Sequence, residues 1–247
     1  MSPAVQTPSG SGTDEPGRPT TEKVKGIFAN IAPSYDLLNS LTSLGMHRRW
    51  RRRTVREAAL TPESVVLDLA AGTGDLSLEL ARSGRPAEVL GTDFVPEMLE
   101  VAKRKAAAYH GPVKLRFEVQ DAQALTLPDA TYDAVTVAFG VRNLPDRAAN
   151  FREVLRVLKP GGRYLILEFS RPHAWFRPFY YAYNATIVPL LGAIVARDRE
   201  SYQYLNDSIR AFPPQEALAA ELREAGFADV RWIDMLFGGV ALHVAVK

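Results

Sequence analysis

A short apolar run that ends in glycines constrains this chain more than any other feature. Val65-Val66-Leu67-Asp68-Leu69 is followed by Ala70-Ala71-Gly72-Thr73-Gly74-Asp75. A run of this length suits a strand buried on both faces, as in a parallel sheet. The glycines permit a tight turn and let a ligand approach the backbone at the carboxyl edge of that strand. Alone, the loop is weakly specific, because it also suits a dinucleotide or a plain corner. It fails the G-x-G-x-x-G fingerprint, since Ser77 stands at the third glycine position.

The pattern downstream fixes the architecture. Asp75–Arg82 has helical spacing of Leu76, Leu80 and Ala81, and Glu88–Asp93 reads as a second strand. Pro96 opens a helix. Residues 113–119 and Tyr132–Ala138 read as the third and fourth strands. Residues 148–158 read as a helix ended by Lys159-Pro160-Gly161-Gly162, and residues 163–169 as a fifth strand. Strands alternating with helices predict a parallel sheet covered on both faces. The end of the chain differs. Residues 213–225 form a helix stopped by Gly226, and residues 230–236 and Val240–Val246 flank Gly238-Gly239, a hairpin signal. The expected fold is α/β and Rossmann-like: a mostly parallel seven-stranded sheet with an antiparallel final strand.

Two segments lie outside that repeat. Residues 1–20 are rich in Pro, Gly, Ser and Thr and are expected to be a disordered tail. Residues 21–247 then form a single domain, with 21–60 as an N-terminal helical segment. The stretch from 170 to 212 carries Trp175, Phe176, Phe179, Tyr180, Tyr181 and Tyr183, followed by an aliphatic run. A long insertion at this point is read as a substrate cover; the alternative is packing of extra helices.

Three acids follow the strands. Asp93 ends the second strand, where a carboxylate can accept from both hydroxyls of a ribose. That ribose is shared by NAD and S-adenosylmethionine (SAM). Asp121-Ala122 follows the third strand, where the acid can accept from an adenine amine while a backbone N–H meets a ring nitrogen. Asp68 precedes the glycines, placed to attract the ammonium of a methionine moiety and to repel a pyrophosphate. No basic residue in the loop awaits a phosphate. The balance favours SAM. Bland readings stand beside these: Asp75 serving the first helical turn, Thr73 as a turn residue and Asp121 as a helix cap.

Composition removes other classes. The chain has no cysteine, so thiolate chemistry and disulfides are excluded, and no metal cluster is expected. A net charge of +2 gives nucleic-acid binding little support. No apolar run reaches the length of a spanning helix, and no secretory pattern opens the chain. The expected location is cytoplasmic.

At a finer grain the sequence resembles the ubiquinone/menaquinone biosynthesis C-methyltransferases of the UbiE/MenG type. The resemblance is carried by Tyr35-Asp36-Leu37-Leu38-Asn39 through Ser43 to His47 and Trp50, and by Arg156-Val157-Leu158-Lys159-Pro160-Gly161-Gly162 through Glu168-Phe169-Ser170. Phe139-Gly140-Val141-Arg142-Asn143-Leu144 and Tyr202-Gln203-Tyr204-Leu205 through Ser208-Ile209 share it. It spans about residues 22 to 247. Leu38, Thr42 and Ala138 depart from residues common in the family. The resemblance implies a class I SAM-dependent methyltransferase fold, with SAM contacts at Thr73, Asp93, Asp121 and Ala122. It also implies methylation of a ring carbon of a prenylated quinol, demethylmenaquinol giving menaquinol.

That chemistry selects candidates. A phenolic hydroxyl has a pKa of about 10, so a site must assist its deprotonation or stabilise the oxyanion. Arg142 and Asn143 follow the fourth strand, where substrate and cofactor should meet. Arg142 would stabilise the phenolate and Asn143 orient a hydroxyl. A guanidinium stays protonated, so Tyr35, Asp36 and His47 are the candidates for the base. The run His47-Arg48-Arg49-Trp50-Arg51-Arg52-Arg53 could meet anionic lipid, since such a substrate lives in a membrane, or could be a solvated helix face.

Overall fold

The computed structural model describes the backbone of residues 21–33, 35–195 and 199–247. The tail over residues 1–20 lies outside them, as do residues 196–198 of the insertion and the side chains of residues 188–203.

The strands are β1 (Val65–Leu69), β2 (Glu88–Asp93), β3 (Lys114–Val119), β4 (Tyr132–Ala138), β5 (Leu158–Phe169), β6 (Asp229–Met235) and β7 (Val240–Val246). They form one sheet in the order β3-β2-β1-β4-β5-β7-β6. The first five run parallel, and β7 is antiparallel to both β5 and β6. The last strand is thus the antiparallel one, and it lies inside the sheet. Its burial explains this place: every residue from Val240 to Ala245 is buried. Trp232 and Ile233 on β6 are half-buried, as suits an edge. β5 is longer than its sequence suggests, because Leu158 pairs with Tyr132 and a bulge absorbs the glycines before Arg163.

The helices α1 (Thr21–Ile31), α2 (Tyr35–Thr42), α3 (His47–Glu57), α4 (Asp75–Arg82), α5 (Pro96–Ala106), α6 (Arg147–Val157), α7 (Arg177–Val195), α8 (Arg199–Ala211) and α9 (Gln215–Ala225) complete the described chain. The two faces of the sheet bury separate cores. One gathers Leu67, Val135, Phe151, Tyr164 and Leu222, and the other Val66, Leu80, Leu165 and Leu242. α1 packs on α5, and α2 packs on α7, so the N-terminal segment and the insertion meet above the carboxyl ends of the strands. That is where an open α/β sheet binds ligands, and the reversal of strand order falls between β1 and β4.

Candidate active site

The loop after β1 is held in place from several sides. Gly74 sits at φ +79° as the residue before α4, and a Cβ there would lie 2.9 Å from that of Ala102. Gly72, at φ +56°, passes beneath Tyr35. Ala70 and Phe139 end the neighbouring strands β1 and β4 at positive φ, +47° and +58°, although neither is glycine. Backbone strain of this kind persists only where surrounding structure enforces it.

Gly72, Asp93, Asp121, Ala122 and Asn143 line one crevice. Burial pushes the Asp93 carboxyl up to about 6, against the pull of backbone N–H groups. Asp93 accepts from Gly72 N–H at 2.8 Å and Val95 N–H at 2.9 Å. A carboxylate has about four lone-pair directions, so acceptor capacity remains for two hydroxyls. Asp121 accepts from Gln123 N–H at 2.9 Å within a turn, and no helix follows it. Ala122 is fixed from behind: its carbonyl accepts from Asn150, whose own amide oxygen accepts from buried Tyr164. The crevice therefore offers close backbone at Gly72, a buried carboxylate and an exposed one, which fits a ribose and an adenine, and among the described residues that line it there is no cation for a pyrophosphate.

Other expected cofactor residues lie behind the crevice. Asp68 is buried, accepts from Ser77 at 2.5 Å and Thr136 at 2.7 Å, and lines neither cavity. Burial raises its pKa to about 6. Thr73 is buried and donates to Asp36 at 2.5 Å. Asp36 also accepts from Lys105, which bonds Asp75, which in turn pairs with Arg51 at 2.7 Å. Asp36, Thr73 and Asp75 thus tie α2 to the cofactor loop.

A second, larger cavity of about 370 Å³ lies against the crevice and shares Phe28, Tyr35 and Phe139 with it. Its wall is mostly aromatic and aliphatic, with Arg142 and His47 among the few charged or titratable groups. Arg142 is nearly buried and pairs with Glu168 at 2.8 Å, and Glu168 also accepts from the Arg142 backbone N–H at 3.2 Å. The guanidinium lies over the Phe169 ring. Its Nε is buried with no hydrogen-bond partner among the described residues. Asn143 accepts from Tyr204 of α8 at 2.8 Å. His47 Nδ1 lies 2.6 Å from Ser43 Oγ and 3.1 Å from the Asn39 carbonyl, and burial lowers its pKa. Burial raises that of Tyr35. Among the described residues no three His, Asp or Glu side chains gather as a cation site.

Glu168, Phe139 and Tyr204 were missed as site residues, although all three fall in motifs that carry the resemblance. Glu168 had a signal of its own. A carboxylate that closes the apolar run Tyr164-Leu165-Ile166-Leu167 needs a buried partner.

A Rossmann-like sheet with its antiparallel strand inserted next to an edge, and a crevice at its switch point lined by Gly72, Asp93 and Asp121, mark the class of SAM-dependent methyltransferases. Solved structures share the fold. A SAM-dependent methyltransferase from Aquifex aeolicus superposes with a TM-score of 0.56 at 19% identity, over 79% of this chain and 88% of that one. The YcgJ protein from Bacillus subtilis gives 0.59 at 20%, over 81% and 98%. Residues 18–247 match the ubiE/COQ5 methyltransferase family, and the chain belongs to that family. Among curated relatives, the ubiquinone/menaquinone biosynthesis C-methyltransferase UbiE of Rubrivivax gelatinosus is 42% identical, over 93% of this chain and 89% of the relative. The demethylmenaquinone methyltransferase of Thermus thermophilus is 46% identical, over 88% and 98%.

Proposed function

We propose that this enzyme methylates a ring carbon of a prenylated quinol, converting demethylmenaquinol to menaquinol. One observation carries the reading. Arg142, its guanidinium braced by Glu168, lines an otherwise largely apolar cavity that adjoins the cofactor crevice. A fixed positive charge in an apolar wall suits an oxygen that gains negative charge, as a quinol hydroxyl does on losing its proton. The names of the relatives support the substrate class, and they include both quinones.

Gly72, Asp93, Asp121 and Ala122 would hold SAM, which when bound supplies an electrophilic methyl group. Thr73, Gly74 and Asp68 would act one layer behind, keeping the loop in shape. Arg142 stabilises the oxyanion as the quinol hydroxyl loses its proton, and Glu168 holds the guanidinium in place. Asn143 accepts from Tyr204, so its amide is oriented to meet a second oxygen. Tyr35 keeps its proton and serves as a donor and a wall. His47 takes the quinol hydroxyl proton; the ring carbon, once methylated, gives up its own hydrogen as a proton to restore the aromatic ring, and the oxygen is reprotonated from His47. Its depressed pKa keeps it neutral, and the Asn39 carbonyl can only accept, which favours the Nδ1–H tautomer and leaves the Nε2 lone pair as the base. Asp36, with Lys105 and Thr73 as partners, anchors α2. The aromatic insertion covers the ring and the start of the tail. Such a substrate resides in lipid, so the enzyme works in the cytoplasm against the membrane face.

The test is transfer of labelled methyl from SAM to reduced demethylmenaquinone, with a short-chain ubiquinone precursor in parallel. Label in menaquinol alone supports the narrow reading, and label in both products a dual specificity. Label in neither, with SAM bound, overturns the quinol assignment. Arg142→Ala should lower turnover by about 10²–10³ with SAM affinity retained. Normal turnover in Arg142→Ala and Asn143→Ala would remove their assigned roles.

A further inference from the structure

The large cavity opens beside a set of largely exposed apolar side chains. Leu44, in the turn before α3, is 74% exposed, and Phe179, on the first turn of α7, is 68% exposed; both line the cavity. Trp175 and Phe237 are 60% and 53% exposed, and their rings meet at 4.9 Å. Phe237 also meets the cavity-lining ring of Phe176 at 4.9 Å. The patch is therefore continuous with the cavity mouth. Exposed aromatic and aliphatic groups gathered in this way mark a contact surface.

Charge identifies the partner. The arginine run of α3 is wound on a helix, so its members divide. Arg51 pairs with Asp75 and Arg53 with Glu57, while Arg48 and Arg49 are exposed with no carboxylate partner among the described residues. Arg48 lies four residues after Leu44, and its N–H donates to the Gly45 carbonyl at 3.3 Å. Apolar side chains bordered by unpaired arginines match an anionic lipid surface: the rings enter the headgroup boundary and the guanidinium groups meet phosphate. In a two-fold contact between copies of this chain the same patch faces itself, which would bring the arginines together.

We propose that Leu44, Trp175, Phe179 and Phe237, with Arg48 and Arg49, dock the enzyme on an anionic membrane and set the cavity mouth against the lipid. The docking site deepens the quinol reading, since a prenylated substrate would pass from bilayer to cavity without crossing water. No described helix is long and apolar enough to cross a membrane.

The experiment is co-sedimentation of the full-length protein with phosphatidylcholine vesicles, with and without about one quarter phosphatidylglycerol, at low and high salt. Wild-type protein should sediment with the anionic vesicles and be released by salt. Trp175→Ala/Phe237→Ala should lose partitioning by on the order of tenfold. Arg48→Glu/Arg49→Glu, which disturbs no packing, should lose the preference for anionic lipid, and both variants should bind SAM as wild type does. Absence of wild-type sedimentation overturns the proposal. Unchanged sedimentation of the arginine variant overturns it too, as does a dimer that Trp175→Ala dissociates. Vesicle binding without quinol methylation would sustain the surface and remove the substrate reading; methylation without vesicle binding would do the reverse.

Discussion

Asp93 shows how one residue can link cofactor and proton. Its carboxyl is pushed from the ordinary 3.8 to about 6 because burial penalises the charge more than the neighbouring backbone N–H groups favour it. The raised value means that the native state holds a proton the unfolded chain has lost. Stability from this group is complete below the ordinary value and is lost as pH rises through about 6. Cofactor affinity should run the other way, because only the carboxylate accepts from two ribose hydroxyls. SAM binding measured by calorimetry should strengthen as pH rises through about 6. Asp93→Asn should weaken binding by about tenfold and flatten that profile. Asp68 also titrates at about 6, yet it lines neither cavity, so Asp68→Asn should keep the profile. A flat profile in the wild-type protein would show that the Asp93 charge does not govern cofactor binding.

Between elements, the packing of β2, β3 and α4 depends on the absence of one side chain. A Cβ on Gly91 would lie 2.6 Å from Phe117 Cε1 and 2.8 Å from Ser77 Oγ, the hydroxyl that donates to Asp68. The neighbours are a packed ring and a fixed hydroxyl, so neither yields easily. Gly91→Ala should cost about 1–3 kcal/mol, read as a lower urea midpoint with an unchanged slope. An unchanged midpoint would mean that the Phe117 ring moves freely. The elements themselves were legible because the strands are apolar runs and the turns carry glycine and proline. The place of β7 between β5 and β6 was not legible, since adjacency in a sheet is decided by burial against distant partners. The site divides in the same way. Asp93, Asp121, Gly72, Arg142 and Asn143 follow strands directly, so topology alone brings them to one edge. The tie between Asp36 and Thr73 joins residues 37 apart in the chain, and no local pattern encodes it. The arginine run shows the opposite case: its spacing was visible, but only the helix shows which members point away from the fold.

Across the whole molecule, the insertion is joined to the N-terminal segment and to the crevice by polar contacts. Tyr183 of α7 donates to the Thr42 carbonyl of α2 at 3.2 Å, so the insertion and the N-terminal segment brace one another over the cavity. Tyr204 of α8 donates to Asn143 Oδ1, which lies 61 residues away in the chain. Asn143 stands at the cofactor crevice while Tyr204 lines the large cavity. The bond therefore crosses the seam between the crevice and the large cavity. An amide free to rotate presents oxygen or nitrogen with similar ease, whereas one whose oxygen accepts from a fixed hydroxyl presents its NH₂ elsewhere. Tyr204→Phe keeps the ring and removes only that donor. It should lower turnover by about tenfold while leaving SAM affinity and the unfolding midpoint close to wild type. Single-turnover methyl transfer beside SAM titration would separate the two effects. A matching loss of SAM affinity would place the effect of Tyr204 at the cofactor, and unaltered turnover would show that the cover encloses the substrate without orienting Asn143.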